Sequence, residues 1–246
     1  MSRILLPFVF VFIGCTSNVP ASAPARIPAP AAPSARPAPE AGPEANAGPT
    51  ASPSPAALPF VCTEIIGLTI TAEWYGAGFE QIVADKHFQA RTRPHTFVDQ
   101  WADAGHVAWS EPVTSPCAER SQSPDRVVLF AANWNLKTQD EWTKVLEAFV
   151  VTAKSRYAQL RALELFTVLR GPKNQTCGDP KSVVDPMIDA AIASVAQAHP
   201  ELVQAGPKLE APECGVFEKG GPHFTEEGRK RVALQLAGAL ADRPRP

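Results

Sequence analysis

From Phe60 onward, short apolar runs alternate with longer stretches in which apolar residues recur every three or four positions. The runs "EIIGLTI" (64–70), "RVVLFAA" (126–132) and "ALELFTVL" (162–169) lie between turn-forming residues and are rich in β-branched or aromatic side chains. Each predicts a buried strand. After the second run, Thr138 and Glu141 have capping-box spacing, and Trp142, Val145, Leu146, Phe149 and Val150 fall on one face of the helix they open. Asp185 with Pro186 opens a second helix through "MIDAAIASVAQAH", which Pro200 ends, and "LVQAGPKL" (202–209) predicts a weaker strand. Thr225 caps a last helix. Glu226 and Glu227 sit in its first turn, where the helix dipole favours negative charge, and Val232, Leu236 and Leu240 form its apolar stripe. The stretch 89–117 is poorly patterned, and one short strand around His106–Ser110 is expected there.

Strands that alternate with helices pair in parallel through right-handed crossovers, so the region predicts an α/β fold, a three-layer α/β/α sandwich with a mainly parallel sheet. In such sheets the reactive groups gather at the carboxyl ends of the strands. The end of the first strand near Thr69, the "AANWN" turn with Asn133 and the loop carrying His223 should therefore meet at one edge.

The segment before this domain is of another kind. "MSRILLPFVFVFIGC" has one basic residue and an apolar run from Ile4 to Ile13, too short to span a bilayer and typical of a signal peptide. Gly14 before Cys15 resembles a bacterial lipobox, with Phe12 where leucine is usual. It implies cleavage before Cys15 and a lipid anchor on its thiol; the alternative is an ordinary secretory signal with Cys15 incidental. Residues 1–15 are thus read as signal peptide and lipobox. Thr16 and Ser17 bring no acidic residue after the cysteine, which by analogy with Gram-negative sorting favours the outer membrane. Residues 16–59 are almost entirely Ala, Pro, Ser and Gly, without apolar periodicity, and predict a disordered tether before the domain at 60–246.

A net charge of −2 with no basic stripe argues against nucleic acid as a partner. With Cys15 lipidated, Cys62, Cys117, Cys177 and Cys214 remain. An even number in an exported domain predicts two disulfides, and the sequence leaves all three pairings open. No pair has zinc-knuckle spacing, so neither metal nor cofactor is expected.

"IIGLTITAEWYGAG", "RVVLFAANWN" and "GGPHFTEEG", taken together in order and context, resemble three blocks of the SGNH (GDSL-type) hydrolase family, in particular its extracytoplasmic domains linked to O-acyl transfer onto sugars. The resemblance implies a flavodoxin-like fold and a serine nucleophile, a histidine base and an asparagine that donates to the oxyanion. By position Thr69 takes the serine's place, Asn133 the oxyanion asparagine's and His223 the base's. Leu68 replaces the aspartate of Gly-Asp-Ser, and Gly220 stands where the carboxylate that orients the histidine belongs. Glu218 is near His223 in the chain, but five residues away, so that only an unusual loop would let it substitute. The second-block oxyanion glycine has no counterpart in 99–117.

Losing the orienting carboxylate lowers turnover by roughly 10⁴, and the β-methyl of threonine crowds a tight nucleophile turn. The expectation is accordingly a monomeric, membrane-anchored envelope lipoprotein with impaired catalysis, binding glycan (envelope polysaccharide or peptidoglycan) or a partner through a vestigial cleft. The alternative is a weak esterase or O-acyltransferase on acylated saccharide, using a Thr69–His223 pair. Trp134 is a candidate sugar-stacking face of the cleft; Trp74 and Trp109 are either further cleft residues or core.

Overall fold

The computed structural model describes residues 60–83, 87–117, 123–178 and 184–241. The expected signal peptide, Cys15 and the expected tether at 16–59 lie outside the described residues. Five strands, β1 (Thr63–Gly67), β2 (Phe88–Thr92), β3 (Arg126–Ala131), β4 (Ala162–Thr167) and β5 (Val203–Ala205), form one sheet in the order β2-β1-β3-β4-β5. Every pairing is parallel. The chain is an α/β sandwich with flavodoxin-like strand order, in which the direction of winding reverses between β1 and β3.

Strand alternation sorts the core into two layers. Ile65, Val128, Phe130 and Phe166 face one side, under α1 (Thr69–Trp74), α2 (Glu80–Ile82) and α6 (Glu226–Ala241). Ile66, Val127, Leu129 and Leu165 face the other, under α3 (Val98–Ala102), α4 (Gln139–Arg156) and α5 (Pro186–Ala198). The capping box of Thr138 and Glu141 is present, as are the Asp185 cap of α5 and the Thr225 cap of α6, in which Thr225 Oγ1 accepts from Gly228 N at 3.0 Å.

Two expected elements are corrected and one unexpected strand is found. The first strand stops at Gly67, and Thr69 and Ile70 belong to α1, because the chain turns sharply at Leu68. His106–Ser110 is no strand. Val107–Ser110 form a 3₁₀ turn capped by the His106 side chain, Ala108 N donating to His106 Nδ1 at 3.2 Å. The strand missing from the reading of 89–117 is β2, whose Gln89 and Arg91 are polar because they serve Glu64 of β1. Glu64 is fully buried and accepts from Gln89 Nε2 (2.5 Å), Arg91 Nε (2.7 Å) and the Tyr157 hydroxyl (2.7 Å), so its charge is paired and hydrogen-bonded. Burial, then the adjacent Glu64 charge, push the Tyr157 phenol well above its ordinary pKa.

Candidate functional site

The turn from β1 into α1 places Thr69 at the first position of a helix that starts at the sheet's carboxyl edge. Gly67 permits it. A Cβ there would lie 2.1 Å from Thr71 Oγ1, and the buried Thr71 amide donates to Leu68 O at 2.9 Å to close the turn. Leu68, where the resemblance implies an aspartate, is buried in the apolar layer with Ile65 and Phe130. Half-buried Thr69 makes no hydrogen bond to His223 among the described residues.

One turn further along α1 stands Glu73. Residues four apart share a helix face, so its carboxylate is below Thr69 on the same side. Glu73 Oε1 lies 2.6 Å from His223 Nδ1, and Oε2 accepts from Phe224 N at 3.1 Å. A carboxylate has no proton to give, so Nδ1 carries the hydrogen, and in the neutral ring Nε2 is the acceptor. The carboxylate is 13% exposed and the imidazole 43%, so a largely dry acid holds a ring that solvent and small molecules reach. Arg229 of α6 lies 3.8 Å from Glu73 Oε2.

The expectation that His223 lacks an orienting carboxylate is therefore corrected: the group comes from a helix 150 residues away in sequence. Gly220 cannot supply it, and its φ of +77° explains why a glycine is there, since this left-handed conformation is strained for other residues. Glu218 does not substitute. Its amide donates to His223 O at 2.8 Å, and its carboxylate is 3.8 Å from Arg229. The bridge between Phe217 and Phe224 closes this loop at its base, and Thr225 N bonds Val216 O at 3.0 Å. His223 is thus presented from a stiff base directly before α6.

Asn133, just past β3, is buried and its amide is held at both ends. Its Nδ2 donates to Asp99 Oδ1 at 2.7 Å, and its Oδ1 accepts from Asn135 N at 2.8 Å. Asp99 is in the first turn of α3, whose Val98 amide bonds Ala132 O at 3.1 Å, so α3 and the Asn133 turn are locked together. One Nδ2 hydrogen remains beyond the bond to Asp99. Trp134 is half-buried and meets Phe97 edge-on at 6.2 Å, while Lys137 Nζ caps its carbonyl at 2.6 Å. Trp74 and Trp109 are core residues. Trp74 packs on Phe79 and Phe130, and Trp109 between Trp101 and Phe149 with the Arg156 guanidinium over its ring.

Of the three disulfide pairings the fold selects Cys62–Cys117 and Cys177–Cys214. The first ties the entry to β1 to the segment after β2. The second ties the loop after β4 to the start of the segment that carries His223.

Sequence reasoning missed Glu73, Asp99 and Arg229. Helical spacing from Thr69 would have pointed to Glu73, had α1 not been read as the tail of a strand. The chain matches no family model, and a search of curated proteins finds no match to it.

Proposed function

We propose that the domain is an ester hydrolase or O-acyltransferase of SGNH type that acts on acylated saccharide, with Thr69 as nucleophile, His223 as base and Glu73 as its orienting acid. The observation that carries this reading is the 2.6 Å contact between His223 Nδ1 and Glu73 Oε1. It fixes the tautomer a base needs and supplies the anion that stabilises the imidazolium. In this scheme Thr69 Oγ1 bonds to the ester carbonyl carbon as His223 Nε2 takes the hydroxyl proton. The tetrahedral adduct collapses, and the leaving alkoxide takes that proton from the ring. Water or a sugar hydroxyl, deprotonated by the same nitrogen, then attacks acyl-Thr69 and restores the free hydroxyl. The free Nδ2 hydrogen of Asn133 is the proposed oxyanion donor, and Trp134 the stacking face for sugar.

A second reading, glycan or partner binding without catalysis, has its own support. Thr69 has no hydrogen bond to His223, and Asn133 Nδ2 is already engaged by Asp99. Catalytic contacts often close only when substrate is bound, which is why the first reading is preferred. We further propose that the domain is held at the bacterial envelope, in the outer membrane, by lipid on Cys15. A Cys15→Ala chain found in the soluble fraction of cells would support this, and one still partitioning with membranes would refute it.

The deciding experiment is hydrolysis of p-nitrophenyl acetate by the purified protein beside Thr69→Ala and His223→Ala. Turnover above the buffer rate, abolished by both changes, is expected. Equal rates in all three proteins would leave the binding reading, to be followed with envelope glycans.

A further inference from the structure

Arg229 takes part in no step of the proposed reaction, yet it touches each of the parts that hold its base. It lies in the first turn of α6, where its amide bonds Thr225 O at 2.9 Å. Its Nε donates to Phe224 O at 3.1 Å and is 3.8 Å from Glu73 Oε2, and its other arm is 3.8 Å from Glu218 Oε1. Phe224 N is itself bound to Glu73, and Glu218 N to His223 O. One guanidinium therefore spans the acid on α1, the carbonyl of the residue after the imidazole and the limb of the loop before it.

We propose that Arg229 is the positioning residue of the Glu73–His223 pair. The acid reaches His223 from another element, so nothing covalent sets their separation. The guanidinium acts as the missing tie. Its charge draws Oε2 toward α6 and leaves Oε1 facing Nδ1, and its Nε holds the carbonyl of Phe224, the residue that follows the imidazole. An ion pair 3.8 Å long with a partly exposed guanidinium contributes little to folding, so an effect on the fold is not what this arrangement predicts. The inference rests on the catalytic reading only for its kinetic consequence, because the geometry of the pair is observable without any reaction.

The test uses the purified protein with Arg229→Met, Arg229→Lys and, as reference, Glu73→Gln. The first readout is the low-field proton resonance of an imidazole N–H shared with a carboxylate. The wild type should show it, Glu73→Gln should lack it, Arg229→Met should lose or broaden it, and Arg229→Lys should retain it. The second readout is p-nitrophenyl acetate hydrolysis, for which Arg229→Met should lower kcat by up to about a hundredfold with KM unchanged, largely rescued in Arg229→Lys. Should Arg229→Met fail to fold, Arg229→Gln replaces it in both readouts.

Arg229→Met with the resonance and kcat of the wild type would overturn the inference. So would a wild type without the resonance under slow-exchange conditions. If the resonance behaves as stated but no protein hydrolyses ester, the catalytic reading fails while the positioning role stands.

Discussion

Replacing Glu73 by glutamine keeps the volume of the side chain and removes its charge and one of its two acceptors. The carboxylate serves two donors, His223 Nδ1 at 2.6 Å and Phe224 N at 3.1 Å, with Arg229 at 3.8 Å. If the amide oxygen keeps Nδ1–H, the NH₂ group faces the Phe224 amide and the guanidinium, donor against donor. If the amide turns over, its NH₂ faces Nδ1 and selects the tautomer with hydrogen on Nε2, which cannot accept a proton. Either way the imidazolium loses its anion. The comparable loss in the Ser-His-Asp triad is about 10⁴ in turnover, or roughly 5 kcal/mol of barrier. The fold should lose about 1.5–3 kcal/mol, the range for hydrogen bonds to charged groups. Steady-state p-nitrophenyl acetate kinetics and a thermal melt separate the two effects. A variant that melts earlier but retains kcat within about threefold of the wild type would refute the catalytic role of the pair, leaving it a structural strut.

Other consequences concern the nucleophile, the clips and the acid limb of stability. Thr69→Ser removes the methyl that restricts χ1 and should raise kcat in the ester assay if Thr69 attacks; an unchanged or lower kcat speaks for direct attack by water. Loss of Cys62–Cys117, which closes a separation of 55 residues, should cost about 4 kcal/mol of unfolding free energy in denaturant titrations of the Cys62→Ser/Cys117→Ser protein. Asp189 is partly desolvated, which raises its pKa, yet hydrogen bonds from Arg170 and Lys208 outweigh this and hold it below the ordinary carboxylate value. Its stabilisation is therefore present above the unfolded pKa and lost as pH falls through the lower folded one, so Asp189→Asn should flatten that part of the acid limb in pH-dependent melts.

The elements legible in the sequence were those with long apolar runs or stripes, which in β3 and β4 outweigh the single buried pair Arg126–Glu164. β3 and β4 are buried on both faces and read as continuous runs, and α4, α5 and α6 carry their caps in the first turn. β2 escaped because a buried carboxylate on its neighbour rewards polar residues. Gln89 is buried and Arg91 partly buried because they serve Glu64, and no periodicity of single residues encodes a pair on two strands. The carboxyl end of β1 was misread for a related reason. Leu68 and Ile70 extend the apolar run of the strand, but both are drawn into the core layer by a helix that has already begun.

The site divides in the same way. Thr69 and Asn133 could be placed just past strands, and His223 just before the last helix, because each adjoins an element with a strong signal. The acid behind His223 could not, because the chain carries a glycine at the position from which a loop carboxylate would act. Gly220 has a positive φ, so the loop reaches His223 by a backbone path that disfavours an aspartate there. With the acid on α1 the loop is free of that duty. Thr69, the proposed nucleophile, and Glu73 then sit four residues apart on α1, and His223 is docked against Glu73. Docking is what the Phe224 amide and Arg229 provide, and Gly228 lets α6 approach closely enough, since a Cβ there would lie 2.1 Å from Val216 O. Gly228→Ala should therefore displace the start of α6 and separate His223 from Glu73, and the loss of the shared-proton resonance in a protein that still folds is the result to expect. Persistence of that resonance would mean that the histidine is held by its loop alone.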